Sequence, residues 1–253
     1  MVFRKTVALI SAFGAAFFTL LELSRPSQAP GTSRQPYASD VQLKIKRSLA
    51  DFAPDGDLSK PSWKRAESVE FDHAASGKVH YPEVSTRVAA LWTEAYIYFS
   101  FWSRYDSLNI FEGEDPAAER WQLWDRDVVE VFLNPQPERV QHYYEFEVAP
   151  NNQWVDLEID KTRDPFNDAS WNSRFEHATR VEAKEHIWTT EMRIPLSSIN
   201  VSAARAGAKW RANFFRAAGK GGDDRRKFLA WSIIPGGGTF HVPTRFGILK
   251  LVN

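Results

Sequence analysis

Cysteine is absent from the 253-residue sequence, which excludes disulfides, thiolate metal sites and a cysteine nucleophile. An excess of charge is absent as well, because 32 Lys and Arg balance 32 Asp and Glu. A neutral chain gives no electrostatic case for binding nucleic acid. The sequence also lacks a G-x-S-x-G nucleophile elbow and an H-E-x-x-H zinc motif. Its six His are scattered, so no hydrolase class is indicated.

The apolar run over residues 6–21 follows Arg4 and Lys5 and has the length of a signal-peptide core. Ser27-Gln28-Ala29 resembles a small-x-small cleavage site, but Pro30 would hinder cleavage there. We therefore expect a signal peptide or an uncleaved N-terminal anchor over residues 1–29, and a Pro/Ser-rich linker over residues 30–40. The protein is expected to be exported, to the periplasm or out of the cell. Membrane contact is expected only if the segment stays uncleaved.

The rest of the chain is rich in aromatic residues, with 10 Trp and 18 Phe. About ten short apolar-alternating runs are separated by turn signals, and no long helical pattern is visible. This pattern predicts one all-β domain over residues 41–253, an antiparallel, jelly-roll-like β-sandwich of about ten strands.

Three of the predicted strands, over residues 127–133, 143–149 and 154–159, have one wholly apolar side and one mixed side. The mixed sides combine aromatic rings and carboxylates: Val128, Glu130 and Phe132; Tyr143, Glu145 and Glu147; Trp154, Asp156 and Glu158. If these sides align, they form one surface of rings and hydrogen-bond acceptors. A solvated outer face is the ordinary alternative for an antiparallel sheet.

Four segments, ordered along the chain, resemble the family 9 carbohydrate-binding modules and the wider DOMON-like group of sandwiches. They are Asp55-Gly56-Asp57-Leu58 with Pro61-Ser62-Trp63; residues 124–132, which match W-x-x-D-x-V-E-x-F; Glu191 to Pro195, which match E-x-x-I-P; and Phe240-His241 with residues 243–249, which match P-x-x-F-G-x-L. Together they span nearly all of the predicted domain.

The resemblance implies a β-sandwich that binds a sugar at a chain end between two tryptophans, with polar side chains on the hydroxyls. Trp124 matches the first tryptophan and Glu130 a hydroxyl-binding carboxylate. Phe240 falls at the second tryptophan and Glu147 at a sugar-binding arginine, and both depart from the family pattern. Phe retains a stacking ring with less area, whereas Glu reverses a charge, so the same sugar in the same pose is not implied.

The chemistry of the residues agrees, because aromatic rings cover the C–H face of a pyranose and carboxylates accept bonds from its hydroxyls. His241 beside Phe240, and Tyr143, Asn151 and Trp154 by face or hairpin position, are further candidates for ligand contact. Some family members carry structural calcium. The Asp55-Gly56-Asp57 turn is a weak calcium candidate, because carboxylate oxygens suit that ion but Asp-Gly is also a common plain turn.

These observations predict non-catalytic binding of a mono- or oligosaccharide, or of a polysaccharide chain end, with a role in polysaccharide catabolism. Two alternatives remain. A glycoside-active enzyme would use two of the carboxylates as acid and base or nucleophile, although no spacing distinguishes a pair. A DOMON-type haem module would need axial ligands such as Met192 or His241, although a methionine inside a strand commonly fills a core gap.

Overall fold

The structure is a computed structural model that describes residues 38–113, 115 and 118–253. The expected signal segment at 1–29 and most of the expected linker at 30–40 lie outside these residues. Within the described part of the chain, all regular structure is β-strand or 3₁₀ turn, which confirms the all-β prediction. No helix in this part is long and apolar enough to cross a lipid bilayer.

Thirteen strands form among the described residues, and the alternating segments of the sequence supply most of them. In chain order they are β1 Gln42–Arg47, β2 Ser68–Phe71, β3 Thr86–Trp92, β4 Tyr96–Arg104, β5 Val128–Asn134, β6 His142–Val148, β7 Trp154–Asp160, β8 Asn167–Asp168, β9 Glu176–Glu182, β10 Ile187–Pro195, β11 Lys209–Ala218, β12 Lys227–Ala230 and β13 Gly247–Val252. The count exceeds the expected ten partly because β2 and β8, with four and two residues, are too short to show a clear alternation.

The strands join in one curled sheet in the order β8-β7-β6-β5-β11-β13-β1-β3-β4-β10-β9, with β12 on β11 and β2 on β3. Pairing is antiparallel except where β1 runs parallel to β13 and β3. The sheet folds over itself, because the ring of Phe214 on β11 lies 5.7 Å from Phe99 and 6.2 Å from Phe101 on β4, four strands away. The two halves therefore pack face to face as a sandwich.

The core between the two halves takes the apolar sides that alternation assigned to β5 and β6. These are Val129, Val131, Leu133, Tyr144, Phe146 and Val148. The opposite, outward sides of β5, β6, β7 and β11 are also buried, beneath loops that contribute Leu123, Phe240 and Phe246 to a second apolar cluster. The alternative of a solvated outer face is therefore wrong for this half of the sheet, because the loops cover it.

Glu191 on β10, in the E-x-x-I-P segment, forms hydrogen bonds with the segment that begins at Asp55-Gly56. Its buried carboxylate accepts hydrogen bonds from the backbone N–H groups of Asp55 (2.8 Å) and Gly56 (2.7 Å), from Lys60 Nζ (2.7 Å) and from Trp63 Nε1 (2.6 Å). Gly56 has a φ of +80°, and a Cβ there would lie 2.7 Å from Arg180 Cγ. The D-G segment is therefore held by the E-x-x-I-P segment against the outer face of β4 and β10, where Trp63 packs with Leu91 and Tyr98.

Candidate functional site

Strand register brings three glutamates together on the outward side of β5 and β6. Glu130 on β5 is directly opposite Glu147 on β6, and Phe132 is opposite Glu145. On the other flank of β5, Glu130 is opposite Phe215 of β11. Residues directly paired on neighbouring strands point to the same side of the sheet, so the mixed sides of β5 and β6 align.

The third strand does not follow this alignment. Glu145 is paired with Leu157 and Glu147 with Val155, so β7 presents its apolar side to the glutamates. Trp154, Asp156 and Glu158 point to the opposite face, and the ring of Trp154 contacts Phe175 at 5.5 Å. The condition that all three mixed sides align is therefore not met, because a register shift of one residue exchanges the two faces of a strand.

A cavity of about 690 Å³ opens above this surface. Its floor is formed by the glutamates, and its walls by the 3₁₀ turn Leu123–Asp125, the β7–β8 region and the loops on either side of β12. The lining residues are Trp124, Asp125, Glu130, Phe132, Glu145, Glu147, Leu157, Phe166, Asn167, Ala217, Asp223, Arg226, Phe228, Gly238, Thr239, Phe240 and His241. The volume falls within the roughly 300–1,000 Å³ of small-molecule sites.

The floor concentrates carboxylates in a desolvated place. Glu130, Glu145 and Glu147 are 2%, 3% and 0% exposed, and one oxygen from each lies within 4.8 Å of the others. Burial raises the pKa of all three, that of Glu145 to about 7. The charge of Glu145 further raises the pKa of Glu130, and the charges of Glu130 and Glu145 that of Glu147. The cluster therefore attracts protons or other positive charge.

Aromatic rings form the walls of the cavity. Trp124 is half-buried, and Phe240 stacks on Phe215 with ring centroids 4.1 Å apart and planes 10° from parallel. Phe228 meets Phe240 edge-on at 6.0 Å. Rings fixed by such contacts lose little entropy when they cover the apolar face of a ligand.

Arg226 fixes the wall that carries Trp124. Its Nη2 donates to the backbone carbonyls of Trp124 (2.7 Å) and Arg126 (2.8 Å), and its Nη1 lies 3.5 Å from Asp223. The guanidinium stacks 5.0 Å from the ring of Phe228. Arg226 is 7% exposed, so these contacts form away from bulk water.

His241 lies at the edge of the floor. Its Nδ1 is hydrogen-bonded to the buried Tyr143 hydroxyl at 2.7 Å, and its Nε2 is 3.9 Å from Glu145. Burial lowers the pKa of His241 to about 4, with a further contribution from the charge of Lys161. His241 is therefore neutral at physiological pH and does not neutralise the glutamates.

Five of the eight residues predicted to contact a ligand line the cavity: Trp124, Glu130, Glu147, Phe240 and His241. Tyr143 lies behind His241. Asn151 is at the β6–β7 turn, where its Nδ2 donates to the carbonyl of Phe111 at 2.9 Å, and Trp154 is on the other face of the sheet. The structure therefore gives no support to a ligand role for Asn151 or Trp154.

The other metal and haem candidates lie away from the cavity. Asp55 is 2.8 Å from Lys60 Nζ, and Asp57 is 3.5 Å from Arg180. These cations oppose a bound calcium ion, and the hydrogen bond from Lys60 lowers the pKa of Asp55 to about 2. Met192 is fully buried in the core between the two sheet halves, whereas His241 lies at the outward cavity, so the two do not form an axial pair.

Twelve of the seventeen cavity residues were not among the predicted site residues, and two of these, Glu145 and Arg226, carry charges on which the site depends. Glu145 has the parity of Glu147, so its face was known, but nothing in the sequence distinguished it from a solvated residue. Arg226 follows a Gly/Asp/Arg-rich loop without periodicity and carried no signal. It becomes recognisable only when β11 and β12 bring the loop back over Trp124.

The profile of one protein family, described as carbohydrate family 9 binding domain-like, matches residues 55–253. An extracellular protein of Arthroderma benhamiae is 23% identical over 192 residues, covering 70% of this chain and 82% of the relative. Among solved structures, a putative carbohydrate-binding protein from Bacteroides uniformis superposes with a TM-score of 0.68 at 19% identity, covering 84% of this chain and all of that one.

Two further structures are of a family 9 carbohydrate-binding module from Caldicellulosiruptor kristjanssonii. The complex with cellotriose has a TM-score of 0.62 at 17% identity and covers 84% of this chain and 94% of the module. The complex with glucose has a TM-score of 0.58 at 18% identity and covers 82% and 95%. At these identities the structural likeness establishes a common fold.

Proposed function

The chain belongs to the carbohydrate family 9 binding domain-like family, and on this premise we propose that its outward cavity binds a pyranose unit of an oligosaccharide without cleaving it. The observation that carries the proposal is the cavity itself, in which Trp124 and Phe240 form part of the wall above Glu130. This arrangement offers rings to the C–H face of a sugar and acceptors to its hydroxyls in one enclosed space.

The size of the cavity supports a ligand of one or two sugar units. Its volume of about 690 Å³ exceeds that of a single ring, and rim residues such as Asn167 and Thr239 add polar groups at its edge. The relatives crystallised with glucose and cellotriose support a gluco-configured ligand as the first choice.

In the cell, we propose that the protein captures chain ends during polysaccharide breakdown, with hydrolysis performed by other proteins. Export is part of this proposal, because polysaccharides are encountered outside the cytoplasm. The apolar run near the N-terminus supports export, as does the relative described as an extracellular protein.

Isothermal titration calorimetry of the full-length protein with glucose, cellobiose, cellotriose and a panel of other sugars tests the proposal. We expect saturable binding of at least one gluco-configured sugar with one site per chain, and no release of reducing sugar from cellulose or mixed-linkage glucan. Absence of binding to every sugar by a folded protein would contradict carbohydrate recognition. Release of reducing sugar that is lost in Glu130→Gln would contradict the non-catalytic assignment.

A further inference from the structure

The three glutamates on the cavity floor form a negative cluster without a matching partner among the described residues. Glu130 Oε1, Glu145 Oε2 and both carboxylate oxygens of Glu147 are buried and receive no hydrogen bond from a described donor outside the cluster, and Glu145 and Glu147 are in hydrogen-bond contact only with each other. All three side chains are more than nine-tenths buried and line the cavity. Buried carboxylates in this state are costly unless protons or a bound cation neutralise them.

The cationic groups nearest the cluster do not satisfy it. The hydrogen bonds of Arg226 go to the carbonyls of Trp124 and Arg126 and to Asp223, so its charge acts on Glu130 only through space. His241 directs Nδ1 to the Tyr143 hydroxyl, and its Nε2 lies 3.9 Å from Glu145, beyond hydrogen-bond distance. Two acidic side chains at the cavity, Asp125 and Asp223, add negative charge rather than remove it.

The geometry points to a divalent cation site, most closely suited to Ca²⁺, formed by Glu130, Glu145 and Glu147 on the cavity floor. Carboxylate oxygens are the preferred ligands of hard divalent cations, and Ca²⁺–oxygen distances are about 2.3–2.6 Å. An ion about 2.4 Å from each oxygen therefore spans ligands up to about 4.8 Å apart. Each pair among the three oxygens lies within that limit.

The remaining coordination positions of the ion would face the cavity, because the glutamates approach only from the floor. In the absence of a sugar these positions would be filled by water, which two vicinal hydroxyls of a sugar would replace. This last step rests on the proposed sugar binding, whereas the cation site itself rests only on the carboxylates.

Calorimetric titration of the EDTA-stripped, full-length protein with CaCl₂ and, separately, MgCl₂ at pH 7.5 tests the site. We expect one Ca²⁺ site per chain, with release of protons measured by comparing two buffers of different ionisation enthalpy. Glu147→Gln preserves side-chain size and should weaken Ca²⁺ binding at least tenfold. A matched variant of the exposed strand β9, Glu182→Gln, should leave it unchanged.

Two outcomes would overturn the site. One is the absence of binding by Ca²⁺ and Mg²⁺, which would mean that protons neutralise the cluster. The other is Ca²⁺ binding that survives Glu147→Gln but is lost when Asp55 and Asp57 are both changed to Asn. Sugar titrations repeated in EDTA separate the two proposals, because sugar binding without a metal would leave the proposed function intact and remove only the link between ion and sugar.

Discussion

Glu130 and Glu147 are directly opposed on the adjacent antiparallel strands β5 and β6, and neither side chain is more than 2% exposed. Like charges in this relationship destabilise a sheet, and Glu145 adds a third carboxylate on the same face. A cluster that costs stability and lies on the floor of a cavity is better explained by ligand binding than by folding.

Trp124 should contribute most of the stacking energy for a bound sugar. Trp124→Ala removes a half-buried ring from the cavity wall, and we expect sugar affinity to fall by about 2 kcal/mol, or roughly 30-fold. Titration calorimetry measures the change. Trp102→Ala is the control, because Trp102 is a partly buried ring on β4, in the other half of the sandwich, where it stacks against Arg87. Equal losses in the two variants would indicate a general effect on folding.

Arg226 should act on the ligand through Trp124 rather than by direct contact alone. Arg226→Gln removes the paired hydrogen bonds to the carbonyls of Trp124 and Arg126. We expect sugar affinity to fall about tenfold, and the fluorescence of Trp124 to shift in the ligand-free protein as its segment becomes more mobile. The spectral shift is assigned to Trp124 by its absence when the same change is made in the Trp124→Phe background. Unaltered fluorescence would contradict the positioning role.

The contribution of Glu145 to the stability of the metal-free protein should decrease as pH rises above neutrality. Burial raises the pKa of Glu145 from about 4.5 to about 7 in the folded state. Near neutral pH the folded protein therefore holds a proton that the unfolded chain has released. The stability that this bound proton contributes is lost as pH rises through about 7. Between pH 6.5 and 8 we expect a loss of about 1 kcal/mol from this group alone.

Urea unfolding in EDTA at both pH values is measured for the parent protein and for Glu145→Gln, and the stability of the parent should change less favourably with rising pH by about 1 kcal/mol. Burial lowers the pKa of His177 and His241 to about 4, whereas the pKa of a His in an unfolded chain is about 6.5. Over the same interval these two groups therefore increase stability by about 0.4 kcal/mol each, as the unfolded chain loses its last imidazole protons. This contribution is common to the parent protein and Glu145→Gln, so the difference between the two isolates the effect of Glu145. A wild-type slope equal to that of Glu145→Gln would contradict the assignment of the proton to this cluster.

Glu191 should affect stability without affecting the ligand. Glu191→Gln places an amide among donors that now bond a carboxylate, including the Trp63 indole and Lys60. We expect a loss of about 2–4 kcal/mol in the free energy of unfolding, measured by urea denaturation, with sugar affinity unchanged where the variant is folded. Glu182→Gln on the exposed β9 should change neither quantity. Loss of sugar affinity in folded Glu191→Gln would show that the two ends of the domain are coupled.

The sequence predicted the fold well because alternation and turn residues are local signals. Both sides of β5 and β6 were assigned correctly, since the parity of Val129, Val131 and Glu130 is fixed within one strand. The position of Trp154 was not predictable in this way, because the register between β6 and β7 depends on the turn that joins them. The role of Arg226 was not predictable either, because its contact with Trp124 joins residues that are 102 positions apart in the chain.

The most direct test of the central claim is a crystal structure of the protein soaked with cellotriose in the presence of calcium. The account predicts a terminal glucose ring in the cavity, against Trp124 and Phe240, with hydroxyls directed at Glu130 and the carboxylates beside it. Sugar bound at another surface, or an unoccupied cavity at a sugar concentration that saturates the protein in solution, would contradict it.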